Sequence, residues 1–386
     1  MKPNTHSLSR TLPRPSRRRF LEASAVLGAS AFVGGCALPR SGDRPLEGFG
    51  TLQVINWSEY IDPELLPIIE ADLGLTLNYQ EIYEDNQTSL DTIISPQLSG
   101  GAVPDFDLIV PTNWLAARMI TNGWVEPIPL EAVPNHVNID PGYLTNDWDR
   151  GSRFQMPWQA GITGIAYDPA QTNGPINSIG QLFDRSLAGQ VALIGEMREA
   201  VGFAMLLNGD DPSRPTAATA RAGFEVIADA VEQGQVAAVV FNEFADGLAN
   251  GRFAASMAWS GDTVLLQADR PDIEFVIPDE GAISWFDTMV IPKNARNYAN
   301  AAAFMNWAYD PANAAQITSW VQYISPVLGV QDELRRLGAE TAELANNPIL
   351  FPDDETRNRL FTWGSLDLES ELQLENDFNA LVDSVS

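Results

Sequence analysis

The stretch Thr51 to Leu66 reads TLQVINWSEYIDPELL, and it sets the architecture of the chain. Thr51 to Asn56 is a short apolar run of the kind a buried strand carries. Asp62-Pro63 then starts a helix, with an acidic N-cap and a proline in the first turn, where its missing N–H costs nothing. Leu65, Leu66, Ile68 and Ile69 give that helix an apolar face. Gly74 ends it, and Leu75 to Tyr79 is a second strand. A helix follows from about Asn86, with Leu90, Ile93, Ile94 and Leu98 at helical spacing. Asp105 to Val110 reads as a third strand and Trp114 to Asn122 as another short helix. Strand and helix alternate, which specifies an α/β unit with a parallel sheet. Ligands on such sheets bind beyond the carboxyl ends of the strands, and Trp57-Ser58-Glu59-Tyr60 sits at one of those ends.

A second α/β unit begins after Met156-Pro157-Trp158. Ala192 to Ile194 is a strand, followed by a loop Gly195 to Glu199 and a helix to about Leu207. Thr216 to Gln233 has the pattern of an amphipathic helix. Val236 to Phe241, Ala254 to Trp259 and Ile273 to Ile277 read as strands, with a short helix between the first two. The apolar segment Trp285 to Ile291 returns the chain to the first unit, and Ala301 to Tyr309 and Ala312 to Val321 are its closing helices. The tail from Asp354 onward is acidic and mostly helical.

The chain has 386 residues, 45% of them hydrophobic, enough for two cores. Its net charge is −28. Without residues 1–35 it carries 17 basic and 50 acidic groups, a net of −33. Such a surface repels nucleic acid and anionic lipid, although net charge alone also serves plain solubility. The two histidines, His6 and His136, leave little for His-based catalysis, and no HExxH, GxSxG, P-loop or GxGxxG pattern is present.

Ser16-Arg17-Arg18-Arg19-Phe20-Leu21 opens a short apolar run, Ala23 to Gly35. A basic segment before a short apolar one is an export signal, too short to span a bilayer. The S-R-R-x-F-L pattern is similar to a twin-arginine signal, and Val33-Gly34-Gly35-Cys36 to a lipobox whose thiol receives lipid. Cys36 is the single cysteine, so no intrachain disulfide competes for it. Residues 36–50 are a polar, Gly/Pro-rich tether. These features place the mature chain in the periplasm or on the outer face of the cytoplasmic membrane, lipid-anchored.

The ends of the expected strands share a composition. They read Trp57-Ser58-Glu59-Tyr60, Thr112-Asn113-Trp114, Glu196 to Glu199, Trp259-Ser260-Gly261-Asp262 and Trp285-Phe286-Asp287. An aromatic followed within three residues by an acid occurs three times. Ring faces attract cations, by roughly 0.5–2 kcal/mol each, and carboxylates form charge-assisted bonds to ammonium groups. Gathered in one cleft, these groups suit an elongated apolar chain with positive ends. Each motif taken singly is also what a core tryptophan beside a helix cap looks like. Clustered oxygens suit calcium, but no Asp-rich loop of the right spacing is present. Paired carboxylates with aromatics also suit glycoside hydrolysis.

Several segments, in order and spacing, resemble the spermidine/putrescine-binding proteins of ATP-binding-cassette importers. They are NWSEYIDPELL (56–66), DFDLIVPTNWLAARM (105–119), MPWQAGITGIAYDP (156–169), MAWSGD (257–262) and WFDTMVIPKNARN (285–297). The resemblance implies a type II periplasmic-binding-protein fold, two α/β lobes with mixed or parallel sheets joined by crossing strands. It implies lobes at 51–158 plus 286–331 and 159–285 plus 332–386. It further implies a monomeric, non-enzymatic receptor without cofactor or metal, which captures protonated polyamines and hands them to a membrane permease. Carried over by position, the ligand-binding residues are Trp57, Ser58, Glu59, Tyr60, Thr112, Trp114, Glu196, Glu199, Trp259, Asp262, Trp285, Asp287 and Tyr323. The acids mix putrescine-type and spermidine-type patterns, so the preferred polyamine stays open. Another organic cation or amino-acid-like solute in the same fold is the alternative cargo.

Overall fold

A computed structural model describes residues 50–385; the export signal, Cys36 and almost all of the tether lie outside them. Ten strands form one continuous hydrogen-bonded sheet. They are β1 (Thr51–Trp57), β2 (Thr76–Tyr83), β3 (Leu108–Ile109), β4 (Gln155–Tyr167), β5 (Val191–Ile194), β6 (Val236–Val240), β7 (Ala255–Trp259), β8 (Glu274–Val276), β9 (Ala282–Val290) and β10 (Leu360–Phe361). The order is β2-β1-β3-β9-β4-β7-β5-β6, with β10 on β9 and β8 on β4.

At one end β1 pairs in parallel with β2 and β3, and at the other β5 pairs in parallel with β6 and β7. Between them the long antiparallel pair β4–β9 runs through both halves. All thirteen residues of β4 are buried, as expected for a strand covered on both faces. Its first half belongs with β3 and the end of β9, its second half with β7 and β8. The sheets expected as two are therefore hydrogen-bonded into one path by the crossing strands.

The helices that matter for the site are α1 (Leu66–Leu73), α2 (Asn113–Thr121), α3 (Met197–Leu207), α4 (Ala217–Glu232), α5 (Glu243–Ala249), α6 (Ser260–Asp269), α7 (Tyr298–Ala308), α8 (Pro311–Val321) and α9 (Leu368–Val385). Asp62 caps the 3-10 turn before α1 by accepting from the Glu64 N–H, and Gly74 ends α1 with φ 64°. The stretch 86–98 is helical but passes through a π turn at Leu90–Ile94. α3 begins at Met197, so Arg198 and Glu199 stand in its first turn rather than in a loop. β3 keeps two of the six residues expected of it, because ladder partners exist only at Leu108 and Ile109. β10 has too little apolar sequence to announce itself and exists because β9 offers it an edge.

One hydrophobic core packs β4's second half, β5–β7, α3 and α9 around Val201, Phe203, Phe244 and Phe253. Two others fill the opposite half, around Ile69, Trp158 and Phe304, and around Ile94, Phe106 and Met119. Leu334 and Ala345, assigned from the sequence to the second lobe, pack in the first half's core, and Phe286 packs in the second's. Chain order alone does not say where a connection returns.

The entry to β4 is fixed by Asp149. This buried carboxylate accepts from the backbone N–H groups of Arg153 (3.1 Å), Phe154 (2.9 Å) and Gln155 (3.1 Å). Removing the acceptor leaves three donors short of a partner, at about 1 kcal/mol each. Asp149→Ala is expected to lower unfolding free energy by about 2–3 kcal/mol in urea titrations. A change under about 0.5 kcal/mol would show that this turn does not hold β4.

Candidate functional site

The helices α2, α3 and α6 start at strand ends, and their N-cap residues are Thr112, Glu196 and Trp259. None of the three spends its side chain on capping. Thr112 bonds Asp287, Glu196 accepts from Asn86 and Trp259 donates to Glu199, and the acids Glu199 and Asp262 stand in first turns where the helix dipole favours negative charge.

Asp287 is the centre of one end. It lies on β9, is 3% exposed, and accepts from the Tyr60 hydroxyl (2.7 Å) and the Thr112 hydroxyl (2.7 Å). Glu199 is the centre of the other end. It accepts from the Trp259 indole N–H (2.8 Å) and, in a short contact, from the Thr163 hydroxyl. A path of rings connects them: Trp259 to Trp285 (centroids 6.4 Å apart), Trp285 to Tyr323 (5.6 Å) and Tyr323 to Tyr60 (5.8 Å). Tilted and edge-on pairs of this kind are favourable ring geometries. Asp262 stands near Tyr60 and Tyr323 and accepts from the Asn242 side chain (2.8 Å).

Two glycines make room for the rings. A Cβ at Gly161 would meet the Trp285 indole at 2.4 Å, and one at Gly261 would meet the Tyr323 ring at 2.3 Å. Gly161 pairs with Trp285 across β4–β9, so the indole folds over its own ladder partner and donates to the Thr163 hydroxyl (3.0 Å).

Burial raises three carboxyls. Asp287 is pushed up to about 7, against the pull of the Tyr60 and Thr112 bonds. Glu199 is pushed up to about 8 by burial and then by the charge of Glu196. Glu196 is raised to about 7 by burial, with the Arg198 charge pulling the other way. Such a set favours a cation arriving among the acids.

The structure brings together Tyr60, Thr112, Glu196, Glu199, Trp259, Asp262, Trp285, Asp287 and Tyr323. Trp57 is half-buried beside them, its indole donating to the Val110 carbonyl (2.8 Å) and its ring on Tyr83 (4.4 Å). Ser58 and Glu59 are exposed in the turn after β1. Glu59 has φ 56°, and its backbone N–H meets the Glu81 carboxylate on β2, so this pair lies on the rim. Trp114 is turned away from the ring path: the Arg198 guanidinium stacks on it at 3.5 Å and Arg118 lies at 5.2 Å.

Asn86 was not among the expected residues. It is 1% exposed, accepts from the Tyr83 hydroxyl (2.7 Å), and donates to Thr112 Oγ1 (2.9 Å) and Glu196 Oε1 (3.3 Å). One carboxamide thus links both acid ends. The signal was present, since Tyr83-Glu84-Asp85-Asn86 also closes a strand with an aromatic and an acid. Trp363, beyond β10, also lines the recess beside Glu196, Glu199 and Trp285. Among the described residues no group of three or more His, Cys, Asp or Glu side chains is placed to hold a metal ion.

The model of the bacterial extracellular solute-binding proteins matches residues 69–352. The chain belongs to that family. This solute-binding protein is 27% identical over 336 residues to the spermidine/putrescine-binding periplasmic protein of Escherichia coli (strain K12), covering 86% of this chain and 90% of that one. It is also 27% identical over 333 residues to the putrescine-binding periplasmic protein PotF of the same organism, covering 81% and 86%. Among solved structures, a Listeria monocytogenes chain assigned to a spermidine/putrescine ABC transporter matches with TM-score 0.75 at 26% identity, covering 86% of this chain and 98% of that one. The two-lobed periplasmic-binding-protein fold read from the sequence is the fold of the solute-binding protein.

Two outcomes follow from the geometry. An acid whose folded-state pKa is raised binds its proton more tightly when folded, so the stability it contributes is present near pH 4.5 and lost as pH rises through about 7 to 8. The ligand-free solute-binding protein should therefore melt lower at pH 8.5 than at pH 5.5, on the order of 5 °C. Glu199→Gln should flatten that profile, whereas a wild-type melting temperature level across the range would remove the buried-acid account. Gly161→Ala should displace the Trp285 indole, seen as a shift in tryptophan fluorescence, and lower stability by about 1–3 kcal/mol; an unchanged spectrum would show that the ring does not rest there.

Proposed function

We propose that this chain captures protonated polyamines of the putrescine/spermidine class in the cleft between its lobes and delivers them to the permease of an ABC importer. The observation that carries it is the pairing of Asp287 with Glu199 at opposite ends of the Tyr60–Tyr323–Trp285–Trp259 ring path. Carboxylates meet the ammonium groups and ring faces line the methylenes. The names of the relatives support the same cargo. Capture of this kind needs no chemistry, so the chain works as a receptor and not as an enzyme.

Closure is by hinge bending of β4 and β9, the strands that run through both halves. We assign the ligand site to the thirteen residues named from the sequence, with Glu59 and Ser58 at the rim, Trp114 behind Arg198 and Asn86 as an added support. Export by the twin-arginine-type signal and lipid attachment at Cys36 complete the proposal, and the protein acts as a monomer at the outer face of the membrane. Their support is the motif pair Ser16 to Leu21 and Val33 to Cys36.

Calorimetry with putrescine, cadaverine, spermidine, arginine and choline tests the cargo. The polyamines are expected to bind and the others not. Asp287→Asn should weaken polyamine binding more than tenfold, near 1.5–3 kcal/mol for one charge-assisted contact, without unfolding the protein. Unchanged affinity in that variant would take Asp287 out of the site, and binding of choline alone would overturn the cargo. Because the acids are held partly protonated when empty, binding at pH 7 should release protons, visible as an apparent enthalpy that changes with the buffer.

A further inference from the structure

Resting on the polyamine reading, we propose that Thr163 of β4 is a positioning residue of the site: its hydroxyl holds the Trp285 indole on one side and orients the Glu199 carboxylate on the other. The ladders place it there. Thr163 is opposite Trp259 on β7, and it is two residues from Gly161, which is opposite Trp285 on β9. Residues two apart on a strand share a face, so Thr163 stands between the two tryptophans. It is 0% exposed and carries the one hydroxyl in the apolar run Ala160 to Ala166. Being fully buried, it acts through the groups it bonds.

An indole N–H can only donate, so the Trp285 bond (3.0 Å) makes the Thr163 oxygen an acceptor on that side. The single hydroxyl proton is then committed to Glu199 Oε2. The Trp259 indole donates to the same oxygen (2.8 Å). Both donors fall on Oε2, and Oε1 accepts no bond among the described residues. Glu199 lines the recess, so Oε1 is the oxygen left for an ammonium group. When Glu199 is protonated, its proton belongs on Oε1 as well, because two donors already point at Oε2. The other acid end is built the same way. Asn86 donates to the Thr112 hydroxyl (2.9 Å), which donates to Asp287 (2.7 Å). In each relay an N–H sets the direction of a threonine proton, and bonds in series strengthen one another. The charges acting on Glu199 are Glu196 before α3 and Asp287 on β9, and the Tyr323 phenol faces it too. Arg198, its neighbour in the chain, is turned to Glu371 and Glu375 on α9. Against burial and both acids, the Thr163 and Trp259 bonds favour the charged carboxylate.

The test removes the hydroxyl and then restores it. Thr163→Val keeps the branched shape without the hydroxyl, Thr163→Ala is a second hydroxyl-free variant should valine not fold, and Thr163→Ser keeps the hydroxyl. In the ligand-free protein the Glu199 titration is followed by carboxyl-carbon NMR and identified by its loss in Glu199→Gln. It should move up by about one pH unit in the valine and alanine variants and stay near wild type in the serine variant. Putrescine affinity at pH 7, by calorimetry, should fall about tenfold without the hydroxyl and about twofold or less with serine. A folded hydroxyl-free variant with wild-type titration and affinity overturns the proposal. So do valine and serine variants that lose affinity alike, since that is a packing effect. A wild-type protein that binds no polyamine overturns the cargo, and the ligand-free titration then decides the role of Thr163 by itself.

Discussion

Three carboxyl groups within reach of one another are the constraint on which the rest of the structure depends. Asp287 and Glu199 are shut away from water and Glu196 is half-buried, and all three are raised well into the neutral range. An isolated buried carboxylate is costly, and neighbouring ones compound the cost. The fold tolerates them because hydroxyls, an indole and a carboxamide aim at their oxygens. What remains unmet is charge, which the proposed cationic solute would supply. Stability of the empty protein and affinity for its cargo are two readings of one free-energy gap.

The crossing pair β4–β9 makes this arrangement possible. Its register sets Gly161 opposite Trp285 and Gln159 opposite Asp287, so an aromatic and an acid two residues apart on one strand face the same side. Ile324 bonds Ala160 on the other side of the strand and delivers the neighbouring Tyr323 to the ring path. A rigid ladder positions side chains more closely than a loop can; Gly161 keeps the Trp285 ring tight against it, and Gly261 lets Tyr323 sit against α6.

The C-terminal helix α9 contributes beyond packing. It is seated on the second half through Leu374 and Phe378, yet it offers Glu375 to Arg118 of the first. A buried ion pair between halves contributes little net stability, because desolvation offsets the attraction. Its value lies in geometry, since the same carboxylate holds Arg198 against Trp114.

The sequence by itself determined the α/β class, most of the strand and helix order, and the aromatic–acid pairs at the strand ends. These are local matters: apolar runs, caps such as Asp62, breaks such as Gly74, and aromatic–acid pairs at strand ends. Tertiary structure alone decided the rest. It turned Trp114 toward Arg198, left Glu59 on the rim, and drew Asn86 between two acids 91 residues of chain order could not connect, Glu196 and Asp287. It also joined two sheets into one path and placed Leu334 and Ala345 in the first half's core. The physical reason is that local sequence fixes backbone conformation, whereas which side chains meet depends on ladder register and on which return path buries more apolar surface.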